Sequence, residues 1–155
     1  MENPRTNKMV YKRPVSVLVV IYARDTGRVL MLQRRDDPEF WQSVTGSIEE
    51  GESAPYAAQR EVKEEVNIDI SAEALSLFDC QRCIEFELFA HLRRRYAPGV
   101  THNTEHWYCL ALPTEREVQL SEHLAYQWLD VPHAAQLTKS WSNRQAIEEF
   151  VIYPA

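Results

Sequence analysis

The chain has 155 residues, 45% hydrophobic and 26% charged, which is the size and make-up of one globular domain with its own core. A formal charge of −6 excludes general nucleic-acid binding by phosphate neutralisation. The longest apolar run, Val17 to Ala23, is too short to span a bilayer, and residues 1–14 lack the apolar segment of a signal peptide. A cytoplasmic protein is expected, with no membrane association and no obligate protein partner.

A single domain over residues 1–155 is expected, with 1–10 as a loosely ordered tail. Val15 to Tyr22 is apolar and β-branched, the signature of a buried strand. Asp25-Thr26-Gly27 signals a turn, and Val29 to Gln33 reads as the returning strand. A charged loop, Arg34 to Pro38, leads to a short strand over Phe40 to Val44. A helix follows, with Ser53 as N-cap and Pro55 in its first turn. Strands are then expected at Leu75–Phe78, Ile84–Leu92, His106–Leu112 and Tyr126–Leu129. Asp130 is placed to cap a short helix ending at Leu137, and Ser142 with Gln145 forms a capping box for a last helix ending near Val151. Strands, helix, strands, helix describe an α+β domain, an α/β/α sandwich around a mixed sheet.

Chemistry concentrates in the first helix. In REVKEE, residues 60–65, Glu61, Glu64 and Glu65 share one side of the helix, while Ala58, Val62 and Val66 form an apolar row beside them. Like charges at this spacing oppose helix formation by about 0.2–0.5 kcal/mol per pair. A hard divalent cation reverses that penalty, so the stripe suits Mg²⁺ or Mn²⁺.

Gly46, Glu52, Arg60, Glu61, Glu64 and Glu65 together fit G-x5-E-x7-R-E-U-x-E-E-x-G-U, with Val62 and Ile68 at the apolar positions U. This pattern resembles the box of the Nudix family of phosphoanhydride hydrolases. The one departure is Asn67 in place of the second glycine. Asn tolerates the left-handed backbone that the end of a helix requires, so little is lost. The resemblance implies a layered α/β/α fold, a metal held by the box glutamates with help from the Gly46 carbonyl, and a Glu52–Arg60 pair pinning the preceding loop. It further implies an acid recruited from outside the box, for which Glu122, in the loop before the Tyr126 strand, is the candidate.

Further stretches, among them YKRPVSVLVVIYA, HLRRRYAPG, TEHWYCLALP and LTKSWSNRQAIEEFV, resemble the branch of the family that releases pyrophosphate from a pterin triphosphate, with some action on nucleoside triphosphates such as dATP. A general (d)NTP or dinucleoside polyphosphate hydrolase is the alternative. Candidate substrate contacts are Lys12 and Arg34 flanking the first hairpin, Thr45 beside Gly46, and Ser140 near the start of the last helix. Phe86 and Phe89 could stack on a flat base, although most aromatics, Trp107, Tyr108, Trp128 and Trp141 included, are expected in the core. Arg93 to Arg95 could form a polyphosphate patch, but such a run reads first as a solvated strand end. Cys80 and Cys83, with His102 and His106, lie too far apart for a usual zinc finger, so buried or half-buried thiols are expected.

Overall fold

A computed structural model describes residues 11–151; the expectation for residues 1–10 lies outside this range. The strand β1 (Val15–Ala23) is central: β2 (Val29–Gln33) and β4 (Val44–Ser47) run antiparallel to it, and β6 (His102–Leu112) runs parallel. The short β3 (Trp41–Gln42) pairs with β2, as does β7 (Tyr126–Leu129), and β5 (Leu77–Glu87) closes the sheet against β6. Because β1 is covered on both sides, its alternating residues feed two cores. Val17, Val19 and Ile21 pack with Ala58, Val62 and Val66 of α1 (Ala54–Val66). Leu18 and Val20 pack with Ala134 and Ala135 of α2 (Val131–Leu137) and with Ala146 and Ile147 of α3 (Trp141–Phe150). Helices on both faces of a mixed sheet give the expected sandwich.

Four local expectations change. The two strands expected between Leu75 and Leu92 are one strand, β5, interrupted by an irregularity between Asp79 and Cys83 where Gln81 takes a positive φ of 54°. It stops at Glu87, paired with His102 at the start of β6, and residues Ala90–Arg95 turn into a 3₁₀ helix. The triple arginine therefore belongs to a helical turn, with Arg93 paired to Glu87 and Arg95 to Asp36. The last helix is capped by Ser140, whose Oγ accepts from the Asn143 N–H at 3.1 Å, because the Ser142 side chain is buried. Among the aromatics Trp141 is exposed, and among the thiols Cys83 is exposed while Cys109 is buried.

Candidate active site

Local chemistry fixes the helix that carries the glutamates. Ser53 Oγ accepts from the Tyr56 N–H, Pro55 occupies the first turn, and Asn67 ends the helix in the left-handed region at φ 57°. The apolar row locks α1 onto the sheet, which sets the rotation of the helix and brings Glu61 and Glu65 to the edge of β4.

Arg60 ties this region together. It grips Glu52 with two hydrogen bonds, Nη2 to Oε1 being 2.9 Å, and Glu52 also accepts from the Glu49 N–H at 2.8 Å. Its Nη2 reaches the Ser47 carbonyl at 3.0 Å and its Nη1 reaches Glu61 Oε2 at 2.8 Å. The loop from Ser47 to Glu52 is thereby pinned to α1 by a planar, bidentate pair.

Gly46 stands directly beneath Glu61. A Cβ at position 46 would overlap the Glu61 carboxyl group and displace it. Glu65 is 4% exposed, and its polar neighbours are the Glu61 carboxyl and the Thr45 N–H. Burial first, and the neighbouring Glu61 second, push the Glu65 carboxyl well above the ordinary carboxylate range; burial raises Glu61 as well, against the pull of Arg60. Glu65 Oε1 is buried and, among the described residues, finds no hydrogen-bond donor.

The structure brings two of the three stripe acids together. Glu64 stands at the rim with its side chain 58% exposed, drawn toward Arg60 at 3.3 Å. Among the described residues, no three His, Cys, Asp or Glu side chains converge as a ready-made cage. A buried, orphaned oxygen, a protonation-prone acid pair and a cradle that a methyl group would fill are nevertheless the donor set that a hard divalent cation fits.

The loop carrying Glu122 is stitched over this pair. Ser121 Oγ donates to the Glu64 carbonyl at 2.6 Å, and Arg35 Nε donates to the Glu122 carbonyl at 3.1 Å. The Glu122 side chain is exposed, and its charge is felt at Glu65. The adjacent His123 was not legible as a site residue. Its imidazole is 8% exposed with Nε2 3.8 Å from Glu65 Oε1, and burial with Arg34 nearby lowers its pKa to about 4. Nothing in the spacing of SEHLAY marks this histidine; only the fold of the loop does.

The other candidates divide. Lys12 is half-buried, 5.8 Å over the Tyr96 ring, and senses both Glu61 and Glu65; burial, then Arg95 and Arg34, lower its pKa. Arg34 is held by Asp36 at 2.7 Å and Gln42 at 3.0 Å, 5.2 Å from the Phe40 ring. Thr45 contributes its backbone, since its hydroxyl donates to the Val17 carbonyl at 2.9 Å. Ser140 is engaged as the α3 cap. Phe89 packs edge-on against Phe40, with ring centroids 5.5 Å apart, while Phe86 lies half-buried opposite Asn103. A recess of about 530 Å³ lined by Pro55, Gln59, Ile70 and Tyr108 holds none of these candidates.

A sequence profile described as the NUDIX domain matches residues 12–150. The chain belongs to the Nudix family. This Nudix hydrolase is 76% identical over 146 residues to the dihydroneopterin triphosphate diphosphatase of Escherichia coli, a match covering 94% of this chain and 97% of that protein. It is 52% identical over 143 residues to the protein of the same name from Haemophilus influenzae, covering 92% and 90% of the two chains. The solved structure of the E. coli dihydroneopterin triphosphate pyrophosphohydrolase superposes with a TM-score of 0.91 at 77% identity, covering 92% of this chain and 97% of that one. Among the described residues no helix is long and apolar enough to cross a membrane.

Proposed function

We propose that this Nudix hydrolase converts dihydroneopterin triphosphate and water to dihydroneopterin monophosphate and pyrophosphate, with slower action on nucleoside triphosphates such as dATP. The observation that carries the reading is the Gly46–Glu61–Glu65 nest, on a chain 76% identical to an enzyme named for that reaction. A divalent cation, Mg²⁺ first and Mn²⁺ as a substitute, would supply neutralisation of the phosphate charge and activation of water. Glu61, Glu65, the Gly46 carbonyl and Glu122 would hold it, and Glu64 at the rim would orient or deprotonate water.

The remaining residues act by position and charge. Glu52 and Arg60 keep the loop and the acid pair in register. Lys12 and Arg34 face the same region with positive charge for the anionic phosphates, in a site where burial strengthens the attraction. The Thr45 N–H fixes Glu65, and Ser140, Phe86 and Phe89 are left for the heterocycle. A cytoplasmic setting accompanies this reading, as the substrate is a soluble triphosphate.

The test is pyrophosphate release by the purified protein in Mg²⁺, comparing kcat/KM for dihydroneopterin triphosphate and dATP. At least a tenfold preference for the pterin is expected. Parity, or a preference for dATP, replaces this assignment with a general (d)NTP hydrolase.

A further inference from the structure

The sheet face opposite α1 carries a second polar cluster that the phosphate chemistry leaves unused. Ser16 of β1 and Glu105 of β6 are register partners, and Asn103, two residues before Glu105, donates from Nδ2 to Ser16 Oγ at 2.7 Å. Asn103 and Glu105 are each 4% exposed. Among the described residues Asn103 Oδ1 finds no hydrogen-bond donor. Glu105 accepts from Trp107 Nε1 at 3.0 Å with the Ser142 hydroxyl as a polar neighbour, and among the described residues it forms no ion pair. A buried carboxylate met only by neutral donors, beside an orphaned amide oxygen, is a costly arrangement for a core. It leaves two acceptors with spare capacity side by side.

The cluster is wired to the candidate active site. Ser142 Oγ lies 3.0 Å from Ser140 Oγ, the cap of α3. Asn143, next along the helix, holds the Ser43 N–H at 2.8 Å and the Ser43 hydroxyl at 2.9 Å, and Ser43 leads directly into β4 and Gly46. Ser16 is also the register partner of Ser47, one residue past Gly46. Phe86 pairs with Asn103 across β5 and β6, so its ring stands on the same face.

We propose that this face is the subsite for the heterocycle of the substrate, in which Glu105 and Asn103 accept hydrogen bonds from an amino-bearing ring edge while Phe86 stacks on the ring. The inference rests on the triphosphate hydrolase reading of the acid pair. A pterin presents its 2-amino group and the adjoining ring N–H as two parallel donors, the same fork that a guanidinium offers a carboxylate. Adenine offers one amino group, and thymine none. Glu105 and Asn103 are thus specificity-determining residues, and Phe86, half-buried, is the wall on which the ring stacks.

Two measurements test this. Neopterin, which carries no phosphate, is titrated by fluorescence into wild type and Glu105→Gln without metal. The ratio of kcat/KM for dihydroneopterin triphosphate to that for dTTP is then measured in Mg²⁺. Glu105→Gln keeps the shape but turns one acceptor into a donor facing a donor, so neopterin binding and the ratio should each fall tenfold or more. Unchanged binding and an unchanged ratio would overturn the proposal and leave Glu105 a structural carboxylate. Should Glu105→Gln not fold, Phe86→Ala at the half-buried wall provides the same readout, and unaltered neopterin affinity there overturns the proposal too. A wild type that spares dihydroneopterin triphosphate but cleaves dATP counts against the proposed function alone. In that case the dATP-to-dTTP ratio in Glu105→Gln still decides the subsite.

Discussion

Gly46→Ala isolates the cradle from the rest of the fold. Gly46 is absent from the glycines with positive φ, so alanine meets no backbone strain there, and fewer unfolded conformations would stabilise the variant by about 0.4–1 kcal/mol. Against this stands the added methyl group, which would fall on the Glu61 carboxyl. Overpacking costs about 1–3 kcal/mol when the surroundings are rigid, but here the obstacle is the end of a flexible side chain that can swing aside. The net loss should be about 1 kcal/mol, a fall in Tm of about 2–4 °C for a domain of this size. Catalysis should suffer far more, because a reacting group displaced by about 1 Å costs on the order of 10²-fold. Thermal melting and pyrophosphate release at saturating Mg²⁺ read the two effects separately. A variant with normal kcat would show that Glu61 is not held where the reaction needs it; a Tm drop several times larger would show that its carboxyl cannot move.

Three more substitutions follow from the same geometry. Glu65→Gln replaces a buried acid whose neutral form the fold already favours, so stability at pH 8 should hold or rise while kcat falls by about 10²–10³-fold; retained turnover in excess Mg²⁺ argues against the metal nest. Glu122→Ala, at an exposed loop position, should leave Tm nearly unchanged and lower kcat, and wild-type kinetics would make Glu122 ordinary surface. Burial raises the folded pKa of Glu105 from the ordinary 4.5 to about 7, so the folded state binds its proton more tightly. Its contribution to stability is fully present below pH 4.5 and is lost as pH rises through 7, by up to about 3 kcal/mol. Denaturant melts of Glu105→Gln should therefore show a gain over wild type that grows from pH 4.5 to 7 and then levels; a gain independent of pH would mean that Glu105 is not buried as an acid.

The glutamate stripe was legible in sequence because local geometry places it, and the rest of the box came from resemblance to the family. Three glutamates at i, i+3 and i+4 must share a helix side, a serine must cap it, and Asn67 must turn left-handed at its end. The Glu52–Arg60 pair, implied by resemblance to the family, spans only eight residues and forms as expected. Periodicity likewise placed β1, β2 and β7 almost to the residue. It failed where pairing decided the outcome: IEFELFAHL alternates like a strand throughout, yet β5 ends where β6 begins and leaves Phe89 and the arginines outside the strand. The polar start of β6, residues 102–105, gave no strand signal, although it forms the edge of the second cluster.

The sequence by itself determined which acids share a helix side and that they suit a hard divalent cation, because those relations depend on spacings of a few residues; the substrate class came from resemblance to the family alone. Only the tertiary structure decided that His123 closes over Glu65, that Glu64 stays at the rim, and that Asn103, Glu105 and Ser142 meet under α3. These contacts join segments tens of residues apart, and burial, the force that shifts their protonation and strips them of water, exists only once the sheet and its two helical layers have closed.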